Sequence, residues 1–289
     1  MHGGSTVSRL RERLADIVDG LARLITQIPV RRFRRDSYGI VFAVPDYCWD
    51  DLSNEQRAAQ VTLKRQYDPV SELFRLLLVG APEDLVRQLE DADARFRVWL
   101  QLESNWGLAS RPDANEAAMR SDVAALDQVL AVLEATGSTE VIVVPDTNSL
   151  LANPKPMDYR VIAGADTMVF ALLPTVLGEL DRLKIEHRNP DVCDKAKKVI
   201  NRVKGWRQQG SLASGVTVDK SITVRALHVE PNMRASLSWL DAAVQDDRIV
   251  ASVIALQAEH PAARVVLVTG DINLQNKADA ALIETADPP

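Results

Sequence analysis

The sequence has 289 residues and a formal net charge of −6, with 34 Lys and Arg against 40 Asp and Glu. This acidic balance argues against a protein that coats nucleic acid non-specifically, since such binding comes from basic side chains that neutralise phosphates. Two cysteines, Cys48 and Cys193, are too few for a disulfide framework. No apolar run approaches the roughly 18 residues that a membrane span needs. We therefore expect a cytoplasmic protein with no membrane segment.

The first half of the chain, residues 1–136, is predicted to be a mostly helical domain whose role the sequence does not indicate. Its opening segment, "STVSRLRERLADIVDGLARLITQIP", places Leu10, Leu14, Ile17 and Leu21 at helical spacing. Further amphipathic patterns follow, the last in "DANEAAMRSDVAALDQVLAVLEATG". The many Arg and Ala residues suggest a bacterial source.

The second half, residues 139–289, changes to short apolar runs that alternate with helical patterns. The runs are "EVIVVP", "TMVFALLP", "ITVRALHV" and "ARVVLVTG". Near-continuous apolar strands separated by helices are typical of a parallel sheet that is covered on both faces. We expect an α/β domain here.

Acidic residues follow two of these strands and lie on two of the helices. Asp146 follows "VIVV" and Asp271 follows "VVLVTG", while Glu179 and the pair Asp246–Asp247 fall in helical patterns. Because ligands of open α/β sheets bind beyond the carboxyl ends of the strands, these acids are expected to meet there. Each acid taken alone is also explained as a turn, cap or solvated helix residue. Carboxylates brought together repel, but they are tolerated where they hold hard divalent cations such as Mg²⁺.

The segments "VIVVPDTNSLL", "PTVLGELDRLK", "DDRIVASVIAL" and "VVLVTGDINLQNKA" together resemble the PIN-domain nucleases. The resemblance covers about residues 139–284 and implies a PIN-like parallel sheet flanked by helices. It implies metal-binding, catalytic acids at Asp146, Glu179, Asp247 and Asp271. Asp247 is preferred to Asp246 because Val250 and Ala251 then fall at the family's offset. Supporting roles are implied for Asn148, Thr269, Asp181 and Asp246.

The resemblance also implies an activity. PIN-domain nucleases are mostly endoribonucleases that depend on Mg²⁺ or Mn²⁺, and water attacks to leave 5′-phosphate and 3′-hydroxyl ends. The expected substrate is single-stranded or looped RNA. One position departs from the family pattern, because many members carry a further acid where this chain has Asn273.

A locally basic stretch follows the Glu179 segment and is a candidate surface for the flanking phosphates of RNA. An ordinary solvated helix face is the alternative interpretation of the same residues. The candidate nucleic-acid-binding residues are Lys184, Arg188, Lys197, Lys198 and Arg202.

Other functions stay open at this stage. A non-catalytic PIN-like module that binds RNA or protein would share the same fold. A phosphatase of the haloacid-dehalogenase type resembles "VIVVPDTNS" superficially, but its second Asp would be Asn148 here. A homo-oligomer or an inhibitory protein partner is also left open.

Overall fold

A computed structural model describes residues 4–32, 45–105, 107–137 and 140–289 of the protein. The described residues form two compact units, one from Leu10–Val132 and one from Met1–Arg9 with Leu133–Pro289. Residues 138 and 139, at the predicted domain junction, lie outside the described ranges. The assignment of the first residues to the second unit was not predicted from the sequence.

The first unit is mostly helical, as predicted. Its helices are α1 (Thr6–Gln27), which begins in the other unit, α2 (Asn54–Leu77), α3 (Glu83–Gln101) and α4 (Pro112–Ala135), which ends there. Two short strands, β1 (Val30–Arg32) and β2 (Tyr47–Trp49), pair antiparallel. The predicted apolar stripe of α1 is buried, with Leu10, Ile17 and Leu21 fully enclosed.

One buried carboxylate joins α2 to α3. Asp93 is only 4% exposed, and its oxygens accept hydrogen bonds from Tyr67 Oη (2.7 Å), Ser71 Oγ (2.7 Å), Arg75 Nη2 (2.7 Å) and Arg97 Nε (3.0 Å). Burial acts to raise the pKa of Asp93, but the hydrogen bonds from Ser71, Tyr67 and Arg97 outweigh it and lower that pKa. Asp93 therefore stays ionised inside the helical unit.

The second unit is built on a six-stranded sheet. Its strands are β3 (Val141–Pro145), β4 (Met168–Leu172), β5 (Val216–Asp219), β6 (Ile222–Ala226), β7 (Arg264–Val268) and β8 (Glu284–Ala286). They lie in the order β5-β6-β4-β3-β7-β8, and every neighbouring pair is parallel except β5 with β6. The predicted α/β fold with a mostly parallel sheet is confirmed.

Helices connect these strands. They are α5 (Thr147–Ala152), α6 (Arg160–Ala163), α7 (Pro174–Glu186), α8 (Pro190–Gln209), α9 (Gln245–Glu259) and α10 (Ile272–Ala280). Two 3₁₀ turns, Pro156–Tyr159 and Met233–Ala235, complete the unit. Within the ranges described, no helix is both long and apolar enough to cross a membrane.

The sheet places its central strands so that their carboxyl ends meet. β3 pairs with β7 in register from Val141 with Arg264 to Pro145 with Val268. The residues that follow Pro145 and Val268 are therefore neighbours at one edge of the sheet.

The first residues of α1 are bound to the far edge of the same sheet. Arg9 Nε donates to the carbonyl of Leu282 (3.1 Å), and Arg9 Nη1 donates to Glu284 Oε2 (3.1 Å) in β8. Arg264 Nε also donates to Glu284 (3.1 Å to Oε2). These contacts explain why the start of the chain belongs to the sheet-containing unit.

Candidate active site

Asp146 is fixed at the end of β3 by both its backbone and its side chain. Its N–H donates to the carbonyl of Val268 (3.0 Å) in the neighbouring strand. As N-cap of α5, its Oδ1 accepts the N–H of Ser149 (2.7 Å), and its Oδ2 accepts the hydroxyl of Thr269 (2.6 Å). The carboxylate is 3% exposed. It therefore has one defined orientation at the sheet edge.

Thr269 joins two of the predicted acids through a single hydroxyl. This residue is fully buried, and its Oγ1 donates to Asp146 while accepting the N–H of Asp271 (3.0 Å). Asp271 is the N-cap of α10, and its Oδ1 accepts the N–H groups of Asn273 (2.8 Å) and Leu274 (3.3 Å). The predicted supporting position of Thr269 thus lies between the two acids.

Glu179 reaches the site from α7. Its Oε2 accepts hydrogen bonds from the hydroxyl of Thr147 and from Nε2 of Gln245. Neither Thr147 nor Gln245 is assigned a role from the sequence. Thr147 directly follows Asp146, so its sequence position indicates that it lies near the site. For Gln245, the sequence gives no indication except that it precedes Asp246 and Asp247.

Asp246 and Asp247 are consecutive in the first turn of α9 but make different contacts. Successive helical residues point about 100° apart around the axis, because a turn takes about 3.6 residues. Asp247 is buried, and it accepts hydrogen bonds from Lys277 Nζ (2.7 Å to Oδ1) and from the N–H of Asp241 (2.9 Å to Oδ2). Asp246 is partly exposed and lies 3.7 Å from Lys277 Nζ.

A cavity of about 130 Å³ lies between these elements. Three of the four predicted catalytic acids line it, together with Asp246. Its lining residues are Asp146, Thr147, Asn148, Glu179, Gln245, Asp246, Ile249, Asp271 and Leu274.

The cavity is lined by Asp246 and not by Asp247, and the choice between them as metal ligand stays a prediction. Asp247 does not line the cavity, since its carboxylate is turned to Lys277 and to the backbone of Asp241. Asp246 shares a helix face with Ile249, three residues on, which lines the same cavity. The sequence offset does not separate the two acids, because Ile249 and Val250, three residues after each, are both buried and apolar.

The family model described as PIN domain matches residues 143–288, which is half of the chain and includes the whole site. The chain belongs to the PIN domain family. PIN domains are commonly nucleases, so a nucleic acid is the substrate that the family implies. No curated protein matches the sequence significantly.

The donor set of this PIN domain fits a hard divalent cation. The acids that line the cavity offer carboxylate oxygens, which Mg²⁺ prefers, and neither histidine nor cysteine lines it. Within the described ranges, no three His, Cys, Asp or Glu side chains are arranged as a ready metal site. Each oxygen of Asp146 accepts one hydrogen bond and keeps a second lone pair, whereas Glu179 Oε2 and Asp271 Oδ1 accept two each. Within the described residues, Glu179 Oε1 and Asp271 Oδ2 are therefore the oxygens of these two acids that can bind a cation.

The remaining supporting residues divide into two groups. Asn148 lines the cavity and is exposed. Asp181 does not line it and forms an ion pair with Lys184 on the same helix. Asn273 Nδ2 lies 3.4 Å from Asp246 Oδ2, so the residue that departs from the family pattern still contacts an acid of the site.

The predicted nucleic-acid-binding residues lie on or after helices that pack near the site. α8 packs against α5, which follows Asp146, and against α7, which carries Glu179. Lys197 pairs with Asp194 (3.1 Å), and Arg202 Nη1 donates to the carbonyl of Pro154 (3.3 Å). Arg188 and Lys198 are exposed. Some of the predicted nucleic-acid-binding residues thus make contacts within the protein, and others are exposed to solvent.

Proposed function

We propose that this PIN domain is a divalent-metal-dependent endoribonuclease acting on single-stranded or looped RNA. The observation that carries the proposal is the cavity at the carboxyl ends of β3 and β7, which brings together four carboxylates, those of Asp146, Glu179, Asp246 and Asp271. The family match supports a nuclease and gives no support to the phosphatase alternative.

The four carboxylates would hold Mg²⁺ or Mn²⁺. When bound, the cation supplies activation of a water molecule and stabilisation of the leaving oxygen of a phosphodiester. The protein contributes fixed orientation: Thr269 holds Asp146 and Asp271 together, while Thr147 and Gln245 hold Glu179. Hydrogen-bonded neighbours of metal-binding carboxylates commonly affect metal affinity as well as geometry.

RNA would approach over the adjacent basic surface of α7 and α8. Arg188 and Lys198 are exposed there and can neutralise phosphates on either side of the scissile bond. An unpaired strand suits the site, because the backbone of a single strand can enter a small cavity more closely than a duplex can.

Cleavage of a mixed-sequence single-stranded RNA and its DNA equivalent tests this function directly. We expect the wild-type protein to cut RNA with Mg²⁺ or Mn²⁺ and to lose that activity in EDTA. Asp146→Asn and Asp246→Asn should each lower the rate by at least about 10²-fold, since each removes one charged ligand. Asp166→Asn, an exposed acid in the loop before β4, is the matched control and should cut at the wild-type rate.

The outcomes separate the alternatives. Cutting that persists in Asp146→Asn and Asp246→Asn would place the activity at another site or in a contaminant. RNA binding without cleavage under any metal condition would favour a non-catalytic PIN module. Preferential cutting of DNA would retain a nuclease but reject the RNA assignment.

A further inference from the structure

Lys277 contacts both acids that open α9. Its Nζ lies 2.7 Å from Asp247 Oδ1, inside the protein, and 3.7 Å from Asp246 Oδ2, beside the cavity. The side chain of Lys277 is 23% exposed, and that of Asp247 is 8% exposed. The cation therefore lies between a buried carboxylate and one that faces the proposed metal.

The neighbouring basic groups have other partners. Arg248 Nη1 donates to the carbonyl of Ala242 (3.1 Å), and Arg182 Nη2 contacts Oε1 of Gln245 (3.5 Å). Lys184 pairs with Asp181. Among the described residues, Lys277 is thus the cation that pairs with the acids at the start of α9.

Asp247 fixes the position of that cation. Its second oxygen accepts the N–H of Asp241, so the carboxylate is held from two sides. Since Lys277 projects from α10 and Asp247 from α9, the pair also joins the two helices that carry Asp271 and Asp246 at their beginnings.

We propose that Lys277 is the resident counter-charge of the carboxylate site, held by Asp247 and placed beside Asp246 to moderate divalent-cation affinity. This inference rests on the proposed metal-dependent function. Five carboxylates surround the start of α9 and the cavity, and one ammonium group offsets part of their repulsion when no divalent cation is bound. The same ammonium repels an incoming cation and so weakens its binding.

Titration of the full-length protein with Mn²⁺ in the absence of RNA tests the proposal by calorimetry. We expect Lys277→Met to bind Mn²⁺ about tenfold more tightly than the wild type, because a like charge beside the cation has been removed. Lys277→Arg keeps the charge and should bind within about twofold of the wild type. Lys220→Met, an exposed lysine in the β5–β6 turn, is the control for a lost surface charge.

Asp247→Asn provides a change in the opposite direction. Lys277 then loses its nearest carboxylate, and its charge acts on Asp246 alone, so Mn²⁺ should bind several-fold more weakly. The double variant Lys277→Met with Asp247→Asn leaves no buried carboxylate unpaired, which protects against a failure to fold. It should bind Mn²⁺ at least as tightly as the wild type.

Each outcome is decisive. Equal or weaker Mn²⁺ binding by both Lys277→Met and the folded double variant would overturn the counter-charge role alone. Weak binding by Asp247→Asn that the second substitution does not reverse would instead make Asp247 a direct ligand, and would overturn the proposal. No Mn²⁺ binding by the wild-type protein would overturn the proposed metal dependence and this inference together.

Discussion

At the scale of single residues, the hydroxyl of Thr269 connects two acids of the proposed site. It donates to Asp146 and accepts from the backbone of Asp271, and it is fully buried. A methyl group in its place would leave the Asp271 N–H without its partner and one oxygen of Asp146 without its donor.

Thr269→Val should therefore affect both stability and metal binding. We expect a loss of about 1–3 kcal/mol in the free energy of unfolding, from the unmade hydrogen bonds. Mn²⁺ affinity should fall by about 10–100-fold, as is typical when a ligand's hydrogen-bond partner is removed. Urea unfolding and calorimetry measure the two effects.

Thr269→Ser is the matched control, since it retains the hydroxyl and should keep most of the Mn²⁺ affinity. If Thr269→Val bound Mn²⁺ as tightly as the wild type, the Thr269 hydroxyl would be structural only.

The acids that follow strands could be predicted from the sequence, because a strand end in a parallel sheet fixes where the next residue lies. Asp146 and Asp271 were found in this way, and both line the cavity. The sequence pattern does not decide between Asp246 and Asp247, because each is followed three positions later by a buried apolar residue, Ile249 or Val250. Gln245 and Lys277 were missed because their roles depend on contacts between elements distant in sequence.

At the scale of secondary-structure elements, the Asp93 network is the main polar contact between α2 and α3. Its donors come from two turns of α2 and one position of α3. Disrupting this buried carboxylate destabilises the protein, because the hydroxyls of Tyr67 and Ser71 are buried and would lose their acceptor without gaining water.

Asp93→Asn should lower the free energy of unfolding of the helical unit by about 3 kcal/mol at neutral pH. The pKa of Asp93 is lower in the folded protein than its ordinary value of 3.8. The stabilisation is therefore fully present above that value and is lost as the pH falls through it towards the folded pKa. Measured by denaturant unfolding, the difference in the free energy of unfolding between the wild type and Asp93→Asn should therefore become smaller below about pH 4.

Asp91→Asn, an exposed acid on the same helix, is the control and should unfold like the wild type at both pH values. A constant difference between Asp93→Asn and the wild type across this pH range would mean that the charge of Asp93 is not what stabilises the contact.

The elements themselves were largely predictable. Apolar runs such as "VIVV" and "VVLV" became the buried strands β3 and β7, because strands covered on both faces bury every residue. The α1 stripe was predicted by its helical spacing. The Asp93 network was not predicted, because no local pattern shows that an acid in the middle of an amphipathic helix points inwards.

At the scale of the whole molecule, the protein and the proposed RNA substrate both carry a net negative charge. A net charge of −6 repels RNA at long range, so attraction has to come from the local basic surface around Arg188 and Lys198.

The apparent second-order rate constant for RNA cleavage, kcat/KM, should therefore fall with rising salt. For single strands, the log–log slope is about −0.7 for each phosphate neutralised. Arg188→Ala and Lys198→Ala should each reduce the steepness of that slope by about 0.7. Lys220→Ala, at the β5–β6 turn, should leave it unchanged. The same slope in all four proteins would show that RNA is held by other residues.

The division of the chain into a helical domain of residues 1–136 and an α/β domain of residues 139–289 remains a prediction from the sequence. The contacts divide the described chain just before Leu133, inside α4, and attach residues up to Arg9 to the sheet-containing unit. Sequence patterns could not show this, because α1 is one uninterrupted amphipathic helix from Thr6 to Gln27.

The bond between Arg9 and Glu284 also bears on how such a domain could be exchanged between genes. The helical segment is, in chain order, an insertion within the PIN unit, so recombination would need two breakpoints to transfer that unit whole. A single breakpoint near residue 133 would carry away the acids of the proposed site but leave behind Arg9, which pairs with the last strand. Descendants of such an exchange would keep Arg264 as a partner of Glu284 but lose Arg9, and the position of Arg9 is where compensating substitutions should accumulate.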